Sequence, residues 1–381
     1  MNSHNLINNT INSTVKTIES LQVPHQQSRD SVVQRQSQLT KPEGALGKLE
    51  TLSEFIAGVT GVPIPILHRK TIVVAAADHG VAEEGVSAYP KEVTPQMVRN
   101  FLQGGAAINV LADIFKIDVI VIDAGINIPS PIQGALVQAS LGKGTKNIAV
   151  GPAMSYSKAT ETITRGIEIF NDVHSKRPTN IIGLGEMGIG NTTSASALIA
   201  AISRRKPSTV VGLGTGIDTL QFERKVTVIE RALAVNVDII NDAHHMSGPK
   251  KAISFLAALG GFEIGILAGI ALGAASNRVP IVIDGVTSGI AVLIANIIAP
   301  DLKKFIIPSH LSPEPGHKVV LDILDRGDPM LDLQMRLGEG SGAALAINLC
   351  DIACRLLSDM ATFKEAAIST IDPIAEMKER K

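Results

Sequence analysis

The chain has 381 residues, of which 45% are hydrophobic and only 3% aromatic, with no tryptophan. Its core must therefore be aliphatic, which favours buried parallel strands under helices and argues against a β-sandwich. The 35 basic and 36 acidic residues nearly cancel, and the longest basic block is Arg204-Arg205-Lys206, so the sequence carries no electrostatic footprint for a nucleic-acid partner.

The first 65 residues predict helices and no strand. The polar, asparagine-rich start lacks the apolar core of a signal peptide, and its first ~10 residues are a candidate for disorder. Two helical patterns flank the turn Lys41-Pro42-Glu43-Gly44, and the second carries an apolar stripe between Leu46 and Ile56.

Between these helices and the C-terminus, six short apolar runs predict buried strands, because β-branched residues dominate them and glycine or aspartate ends most of them. They are Thr71–Ala77, Val119–Ala124, Asn180–Leu184, Thr209–Leu213, Pro280–Asp284 and Lys304–Pro308. Helical stretches alternate with them, which predicts a mostly parallel sheet with right-handed crossovers. One helix is expected to begin at Thr94-Pro95 with Thr94 as N-cap. Another, Ile264–Ala275, is expected to be buried, and it is shorter than the ~18 residues of a membrane span.

The residues from 341 to 381 again predict helices. Cys350 and Cys354 are spaced to share one face of a helix, and we interpret them as core residues because no further cysteine or histidine completes a metal-ligand set. The predicted fold is therefore α/β: a Rossmann-like, mostly parallel sheet flanked by helices over residues 66–340, with a small helical domain formed by residues 1–65 and 341–381.

Polar, glycine-rich loops follow the predicted strands, and in open parallel sheets such loops line one ligand crevice. The loop in Asn180–Leu198 is glycine-rich, and a helix is expected to begin there near Asn191 or Thr192. Because helix N-terminal N–H groups bind anions, a phosphate fits this position. Gly183, Gly185 and Gly188 also match a dinucleotide fingerprint, but the acidic residue expected about 20 positions later is missing. A nucleotide-dependent oxidoreductase and a purely structural turn stay open as alternatives.

Two glutamates stand inside such loops. Glu186 would repel a neighbouring phosphate, so we expect it to face a hydroxyl or a cationic ring, or to sit as a carboxylate at the helix N-terminus. Glu339 lies between Gly338 and Gly340 just before an apolar helix. Its carboxylate is either presented to a ligand without obstruction or simply exposed on a surface loop.

The loops after the first and last strands add further candidates. Asp78 and His79 are expected to form a hydrogen-bonded pair that fixes its loop, since no carboxylate cluster with metal spacing accompanies them. Tyr89 is a candidate wall of an aromatic-binding pocket, and Ser312 is a candidate phosphate donor. The paired-acidic, Thr-Gly loop typical of phosphoribosyl-pyrophosphate enzymes is missing. A phosphoribose donor would therefore carry a single phosphate and need no Mg²⁺.

Taken in order, the motifs resemble the nicotinate-nucleotide–dimethylbenzimidazole phosphoribosyltransferases, the family that builds the lower nucleotide of cobalamin. The resemblance runs from about residue 35 to about residue 360. It rests on KPEGALGKLE (41–50), ADHGVAEEGVSAYPKEVT (77–94), GGAAINVLA (104–112), GPAMS (151–155), GEMGIGNTT (185–193), GGFEIGILAGI (260–270), DGVTSG (284–289), PSHLSPEPGH (308–317) and MRLGEGSGAALA (335–346).

The resemblance implies that nicotinate mononucleotide is the donor and 5,6-dimethylbenzimidazole or a relative is the acceptor. The products are then α-ribazole 5′-phosphate and nicotinate. Glu339 matches the general base that takes the azole proton while the other ring nitrogen attacks C1′ with inversion, and Glu186 matches a second acidic site residue.

The resemblance also implies binding positions for both substrates. The phosphate cradle corresponds to Gly188, Ile189, Gly190, Asn191 and Thr192, with Ser312 and Lys225 beside it. Other site positions correspond to Asp284, Arg336, Gly338 and Gly340. The acceptor base would be bordered by Ser87, Tyr89 and Gln96.

Finally, the resemblance implies a homodimer that acts on small molecules without metal or cofactor. The low cysteine count fits a reducing cytoplasm, and charge and segment lengths predict no nucleic-acid or membrane partner. A non-catalytic paralogue that only binds a mononucleotide is the remaining alternative.

Overall fold

The computed structural model describes residues 3–128, 132, 134–214, 216–327 and 329–369. The expectation of disorder at the N-terminus falls partly on residues 1–2, which lie outside the described residues. From Ser3 onward the backbone is helical.

Helices account for most of the described chain. The α-helices are α1 (Ser3–Ser20), α2 (Gln26–Gln36), α3 (Lys48–Thr60), α4 (Val93–Gln103), α5 (Ala107–Phe115), α6 (Tyr156–Lys176), α7 (Asn191–Ser203), α8 (Thr219–Val235), α9 (Val237–His244), α10 (Gly248–Leu259), α11 (Phe262–Ser276), α12 (Val286–Ile298), α13 (Pro315–Ile323) and α14 (Ser341–Asp359). Short 3-10 helices cover Gly80–Glu84, Pro207–Thr209 and Pro300–Phe305.

The chain divides into two compact units. The larger unit contains the described residues up to Leu21 together with His68–Ile347. The smaller contains Gln22–Leu67 together with the chain from Asn348 onward. Helix α1 packs against α6 and α11 of the larger unit, whereas the sequence grouped residues 1–65 together in the small domain.

The larger unit is built on a six-stranded sheet in the order β3-β2-β1-β4-β5-β6, and all its pairings are parallel. Its strands are β1 (Lys70–Ala77), β2 (Ile117–Gly125), β3 (Leu136–Gln138), β4 (Ile181–Met187), β5 (Ile281–Ile283) and β6 (Ile306–Pro308). This confirms the predicted parallel α/β fold. The strand order reverses between β1 and β4, and ligands bind at such switch points, beyond the carboxyl ends of the strands.

Two features of the sheet differ from the prediction. The strand predicted at Thr209–Leu213 is wrong, because Pro207 starts a 3-10 turn and the N–H groups of Val210 and Val211 both donate to its carbonyl oxygen. These donors are therefore satisfied locally and the run stays outside the sheet. Strand β3 was not predicted, since its three residues form a partly exposed edge without an apolar run.

The predicted buried helix at Ile264–Ala275 is confirmed as the centre of α11, whose residues from Phe262 to Ala275 are all buried. It packs closely on α6. A Cβ added at Gly269 would collide with the backbone of Ile163, and one added at Gly166 would collide with that of Ile266. The two glycines thus set the short distance between the helices.

The smaller unit joins segments from the two ends of the chain. Val32, Ala57 and Leu357 form a buried cluster among α2, α3 and the end of α14. The guanidinium of Arg35 donates to the carbonyl oxygen of Leu357 at 2.6 Å. Lys41 pairs with Glu50 at 2.9 Å, which holds the Lys-Pro-Glu-Gly turn against α3.

Helix α14 is the one described helix that is long and apolar enough to cross a membrane, by length and composition alone. However, 61% of that stretch is buried in the fold, which is typical of a core helix. Cys350 and Cys354 both lie buried in it, as predicted for core residues. Burial raises the pKa of the Cys354 thiol to about 12.

Candidate active site

The loops after β1 and β4 meet at the switch point of the sheet. A Cβ added at Gly188 would collide with the carbonyl oxygen of Ala77, and one added at Gly190 would lie 3.3 Å from Cβ of His79. Gly190 also has φ +95°, a left-handed conformation that side chains rarely adopt. These glycines therefore let the two loops approach each other closely.

The loop after β4 leads into α7, which begins at Asn191 as predicted. The cap residue of this helix is Gly190, which supplies no side-chain cap. The N–H groups of Asn191 and Thr193 donate to the carbonyl oxygens of Gly188 and Gly190, so among the described contacts the first turn of α7 offers an anion the N–H of Thr192 and the positive end of the helix dipole. The dinucleotide fingerprint does not describe this loop, because Gly183 and Gly185 lie inside β4.

Helix α4 supports the loop from the other side. The N–H of Ile189 donates to Oγ1 of Thr94 at 3.0 Å, and Thr94 is fully buried. The prediction that Thr94 is the N-cap of this helix is wrong: α4 begins at Val93, and Glu92 occupies the cap position. The Thr94 hydroxyl instead accepts from the backbone of the glycine-rich loop.

A buried lysine borders the start of α7. Lys225 of α8 is fully buried, and its Nζ donates to Oγ1 of Thr192 at 2.9 Å. Burial lowers the pKa of Lys225 to about 8, although the charge of Glu314 opposes the shift. A Cβ added at Gly214 would lie 3.1 Å from Nζ, so this glycine leaves room for the ammonium group.

Residues after β6 and before α14 reach the same corner. Glu314 accepts from the N–H of Gly214 at 2.9 Å, and the N–H of Glu314 donates to Oγ of the buried Ser312 at 3.4 Å. Arg336 is exposed, and its Nη1 donates to the carbonyl oxygen of Gly214 at 2.8 Å. The neighbouring Thr215 lies outside the described residues.

The predicted base stands in a loop of unusual backbone. Gly338, Glu339 and Gly340 all have left-handed φ angles, of +83°, +63° and +84°. A Cβ added at Gly185 of β4 would lie 2.5 Å from the carbonyl carbon of Glu339. A non-glycine residue held at positive φ is a strained conformation that clusters at functional sites.

The Glu339 carboxylate is enclosed rather than exposed, since the residue is only 5% accessible. Within the described residues its Oε2 has no hydrogen-bond partner. Burial raises the pKa of Glu339 and the nearby charge of Asp284 raises it further, while a hydrogen bond from the N–H of Ile108, at the start of α5, lowers it. A buried carboxylate with one unpartnered oxygen and a raised pKa has the properties of a general base.

Asp284 lies directly after β5 and is 1% accessible. Its Oδ1 accepts from the N–H groups of Gly342 at 2.7 Å and Ala343 at 3.1 Å, and its Oδ2 accepts from that of Gly340 at 3.2 Å. This predicted site residue therefore contacts the loop that carries Glu339.

Glu186, at the end of β4, belongs to the same cluster of carboxylates. Its Oε2 accepts from Nδ2 of Asn191, and a Cβ added at Gly338 would lie 2.7 Å from its Oε1. Burial, with the charges of Asp284 and Glu263 adding to it, raises the pKa of Glu186 to about 8, against the opposing hydrogen bond from Asn191. The structure thus brings Glu186, Glu339 and the start of α7 together.

The predicted pairing of Asp78 with His79 is wrong. Nε2 of His79 lies 2.8 Å from Oε1 of the fully buried Glu263 in α11. Oδ2 of Asp78 accepts from the N–H of Asn127 at 2.7 Å. The backbone of His79 is extended, so consecutive side chains point to opposite sides and find different partners.

Of the three positions expected to border the acceptor base, only Gln96 lines the cavity described next, and Ser87 and Tyr89 do not. Gln96 lines a cavity of about 380 Å³ together with Asp78, His79, Arg99 and Thr145. Tyr89 is 54% exposed, and the N–H of Tyr89 donates to Oγ of Ser87 at 3.2 Å.

Sequence reasoning missed Thr94, Ile108, Glu263 and Glu314 as supports of the site. For Glu263 a clue was present, because it is the single charged residue in the apolar segment Phe262–Ser276. An ionisable residue on a buried helix needs a partner, which predicts a polar contact even before its identity is known.

In sequence and in fold the chain is similar to known phosphoribosyltransferases. A family described as "Phosphoribosyltransferase" matches residues 21–368. A curated relative from Chloroflexus aggregans, named nicotinate-nucleotide–dimethylbenzimidazole phosphoribosyltransferase, is 50% identical over 343 residues, covering 90% of this chain and 94% of the relative. A relative of the same name from Roseiflexus sp. is 50% identical and covers 88% and 92% of the two chains.

Solved structures from Thermus thermophilus are similar too. One, described as nicotinate-nucleotide-dimethylbenzimidazole phosphoribosyltransferase, matches with a TM-score of 0.81 and 41% identity over 91% of this chain and 99% of the other. A second, described as CobT, matches with a TM-score of 0.83 and 40% identity over 91% of this chain and 100% of the other.

Proposed function

Because the chain belongs to the nicotinate-nucleotide–dimethylbenzimidazole phosphoribosyltransferase family, we propose that it transfers the phosphoribosyl group of nicotinate mononucleotide to 5,6-dimethylbenzimidazole or a related base. The products are α-ribazole 5′-phosphate and nicotinate, and the step belongs to assembly of the lower nucleotide of cobalamin. The observation that carries the proposal is the buried Glu339 carboxylate, which lies near Glu186 beside the open N-terminus of α7.

The donor phosphate is proposed to bind at residues 188–192, at the N-terminus of α7. Two features support this position: the helix lacks a side-chain cap, and the Lys225 ammonium lies 2.9 Å from the Thr192 hydroxyl. Helix N-termini and cations both favour phosphate. Ser312 is linked to this position by two hydrogen bonds: its Oγ accepts from the N–H of Glu314, and the Glu314 carboxylate accepts from the N–H of Gly214. The exposed Arg336 lies at its rim.

Glu339 is proposed to act as the general base. Its carboxylate takes the proton from one ring nitrogen of the azole while the other nitrogen forms the bond to C1′. The bond from C1′ to nicotinate breaks, and its electron pair stays on the departing ring nitrogen. Because the donor ring is already a cationic pyridinium, departure needs no acid. A raised pKa makes the Glu339 carboxylate a stronger base.

Glu186 is proposed to face the donor ring or a ribose hydroxyl. With a pKa of about 8 it carries a proton at neutral pH in the free protein and can donate a hydrogen bond. A cationic pyridinium beside it would lower that pKa and favour the carboxylate. The proton state of Glu186 would then respond to the charge of the bound donor.

On the resemblance alone, the chain is proposed to be a homodimer acting on small molecules without metal or cofactor. On composition and segment lengths, it is proposed to be cytoplasmic, without a membrane or nucleic-acid partner. Ser87, Tyr89 and Gln96 are kept as proposed neighbours of the acceptor.

The direct test is to incubate the purified protein with nicotinate mononucleotide and 5,6-dimethylbenzimidazole and to follow both products by liquid chromatography and mass spectrometry. We expect nicotinate and α-ribazole 5′-phosphate to appear in equal amounts. Binding of nicotinate mononucleotide without release of nicotinate would support the non-catalytic paralogue instead. Competition among benzimidazole, adenine and phenol would then identify the acceptor class.

A further inference from the structure

The carboxylate of Asp284 is engaged on both oxygens by one short piece of backbone. The three N–H donors belong to Gly340, Gly342 and Ala343, at 3.2, 2.7 and 3.1 Å. The last two lie in the first turn of α14, where a helix normally needs a cap. The residue that follows β5 therefore caps this helix, although more than fifty positions separate the two in the chain.

The neighbours of Asp284 hold it in place. Its N–H donates to Oγ of Ser288 in α12 at 3.0 Å. The ring of His310 lies 4.0 Å from Oδ1, and its Nε2 contacts the carbonyl oxygen of Met335 at 3.2 Å. A Cβ added at Gly342 would collide with His310, so only glycine allows this ring and the helix start to share Asp284.

The three hydrogen bonds to Asp284 also determine where Glu339 lies. Glu339 directly precedes Gly340, and both residues are held at left-handed φ angles of +63° and +84°. A strained backbone persists only when surrounding contacts over-determine it. The hydrogen bonds that the loop donates to Asp284 supply such contacts on one side of Glu339, and the close approach of Gly185 supplies them on the other.

We propose that Asp284 is a positioning residue for Glu339: by binding three backbone N–H groups it fixes the loop in which the Glu339 carboxylate faces the ligand crevice. The proposal rests on the proposed function, in which Glu339 is the base. Since both of its oxygens are engaged by the loop, Asp284 acts through Glu339 and makes no contact with substrate.

The charge of Asp284 has a second consequence. The charged and titratable groups around the two residues are Glu186 from β4, Glu263 from α11 with its partner His79, and His310 from the segment after β6. Asp284 raises the pKa of Glu339 through space. Burial raises the pKa of Asp284 itself to about 7, against the hydrogen bonds from its three N–H donors, so it exerts this effect on Glu339 only above that pH, where it is charged.

The test compares Asp284→Asn, Glu339→Gln and the double variant in steady-state kinetics of nicotinate release. For Asp284→Asn alone we expect kcat to fall at least about tenfold with the KM for nicotinate mononucleotide within about twofold, because only an orientation needed for the chemical step is lost. A merely structural role would instead lower the thermal stability and leave the kcat of the folded protein unchanged. In the Glu339→Gln background the same substitution should have almost no further effect, since both act through one group.

The matched control is Asp123→Asn. Asp123 is also a buried aspartate near the end of a strand, β2, where it accepts from the N–H of Ile126 at 2.9 Å, and in the described part of the chain none of its hydrogen bonds reaches the Glu339 loop. We expect its kcat and KM to stay at wild-type values. Thermal unfolding of each variant checks that it is folded at the assay temperature.

Three outcomes would overturn the positioning role: an unchanged kcat in Asp284→Asn, a rise in KM with kcat retained, or equal losses from Asp284→Asn with and without Glu339→Gln. If Glu339→Gln itself kept full turnover, the proposed base would be wrong. That failure is separate, because it would appear in the Glu339→Gln single variant alone.

Discussion

Two loops of the larger unit have a similar backbone but differ in what accepts from the N–H groups of the helix that follows each of them. The phosphate loop, residues 188–192, and the base loop, residues 338–342, are both glycine-rich and both lead into a helix at the carboxyl edge of the sheet. At the phosphate loop Gly190 supplies no side-chain cap, and among the described contacts the N–H of Thr192 is left for an anion. At the base loop the carboxylate of Asp284 occupies the corresponding N–H groups of α14.

The same backbone pattern can therefore form either a site that binds an anion or a loop that presents a carboxylate. An open helix N-terminus next to the buried Lys225 favours a phosphate. A helix N-terminus whose N–H groups already donate to Asp284 has no such affinity, and the same contacts hold the loop that carries a second carboxylate, that of Glu339. Sites of opposite polarity can therefore stand close together in one crevice.

The largest effect on catalysis is expected at the base loop. Glu339→Gln keeps the size of the side chain and removes its proton affinity, so we expect kcat to fall about 10²–10⁴-fold, the range of general-base catalysis. The KM for nicotinate mononucleotide should change little, because the phosphate loop is untouched. Steady-state kinetics with saturating acceptor measures both quantities. Full turnover by this variant would show that another group takes the proton.

A change at the phosphate loop should have the opposite signature. Lys225→Met removes the ammonium from a fully buried position but keeps much of its volume. We expect the KM for the donor to rise about tenfold or more, with kcat at saturation within a few-fold of wild type, because a charged contact to the phosphate is worth roughly 1.5–3 kcal/mol. A large fall in kcat at an unchanged KM would place Lys225 in the chemical step instead.

The pH dependence of donor binding tests the role of the Lys225 charge. Because burial lowers the pKa of Lys225 to about 8, its ammonium is present below that pH and is lost above it. We expect kcat/KM for the donor to decline as pH rises through about 8. Glu186 has a pKa near the same value, so Lys225→Met decides between the two residues. The decline should vanish in that variant, and its persistence would assign the limb to Glu186.

The smallest effect is expected from the support of the phosphate loop. Thr94→Val removes the acceptor for the N–H of Ile189 while preserving shape. The free energy of unfolding should fall by about 1–3 kcal/mol, the cost of leaving a buried donor unsatisfied, and the donor KM should rise only a few-fold. Chemical denaturation measures the first and steady-state kinetics the second. Serine at the same position should restore both.

Some strands could be predicted from the sequence and others could not. The central strands were predictable, because fully buried parallel strands are continuous apolar runs. Strand β3 was not, since three residues at an edge have no such pattern. The run Thr209–Leu213 has the composition of a strand, but Pro207 turns the backbone before it can pair.

At the candidate site the glycine-rich loops, Glu186 and Glu339 could be found from residue types and from the family resemblance. Their partners could not. Asp284 meets the base loop across more than fifty residues, and His79 meets Glu263 across 184. Such contacts depend on the packing of distant elements. The local sequence therefore predicted a pair between His79 and its neighbour Asp78, whereas the fold shows that His79 contacts Glu263.

The most direct test of the division between the two loops is a side-by-side measurement of donor affinity and single-turnover rate in Glu339→Gln and Lys225→Met. Calorimetric titration gives the Kd for nicotinate mononucleotide, and rapid quenching gives the rate of nicotinate release with acceptor present. We predict a wild-type Kd with a slow turnover for Glu339→Gln, and a weakened Kd with a near wild-type turnover at saturation for Lys225→Met. Parallel losses of affinity and rate in both variants would contradict the account.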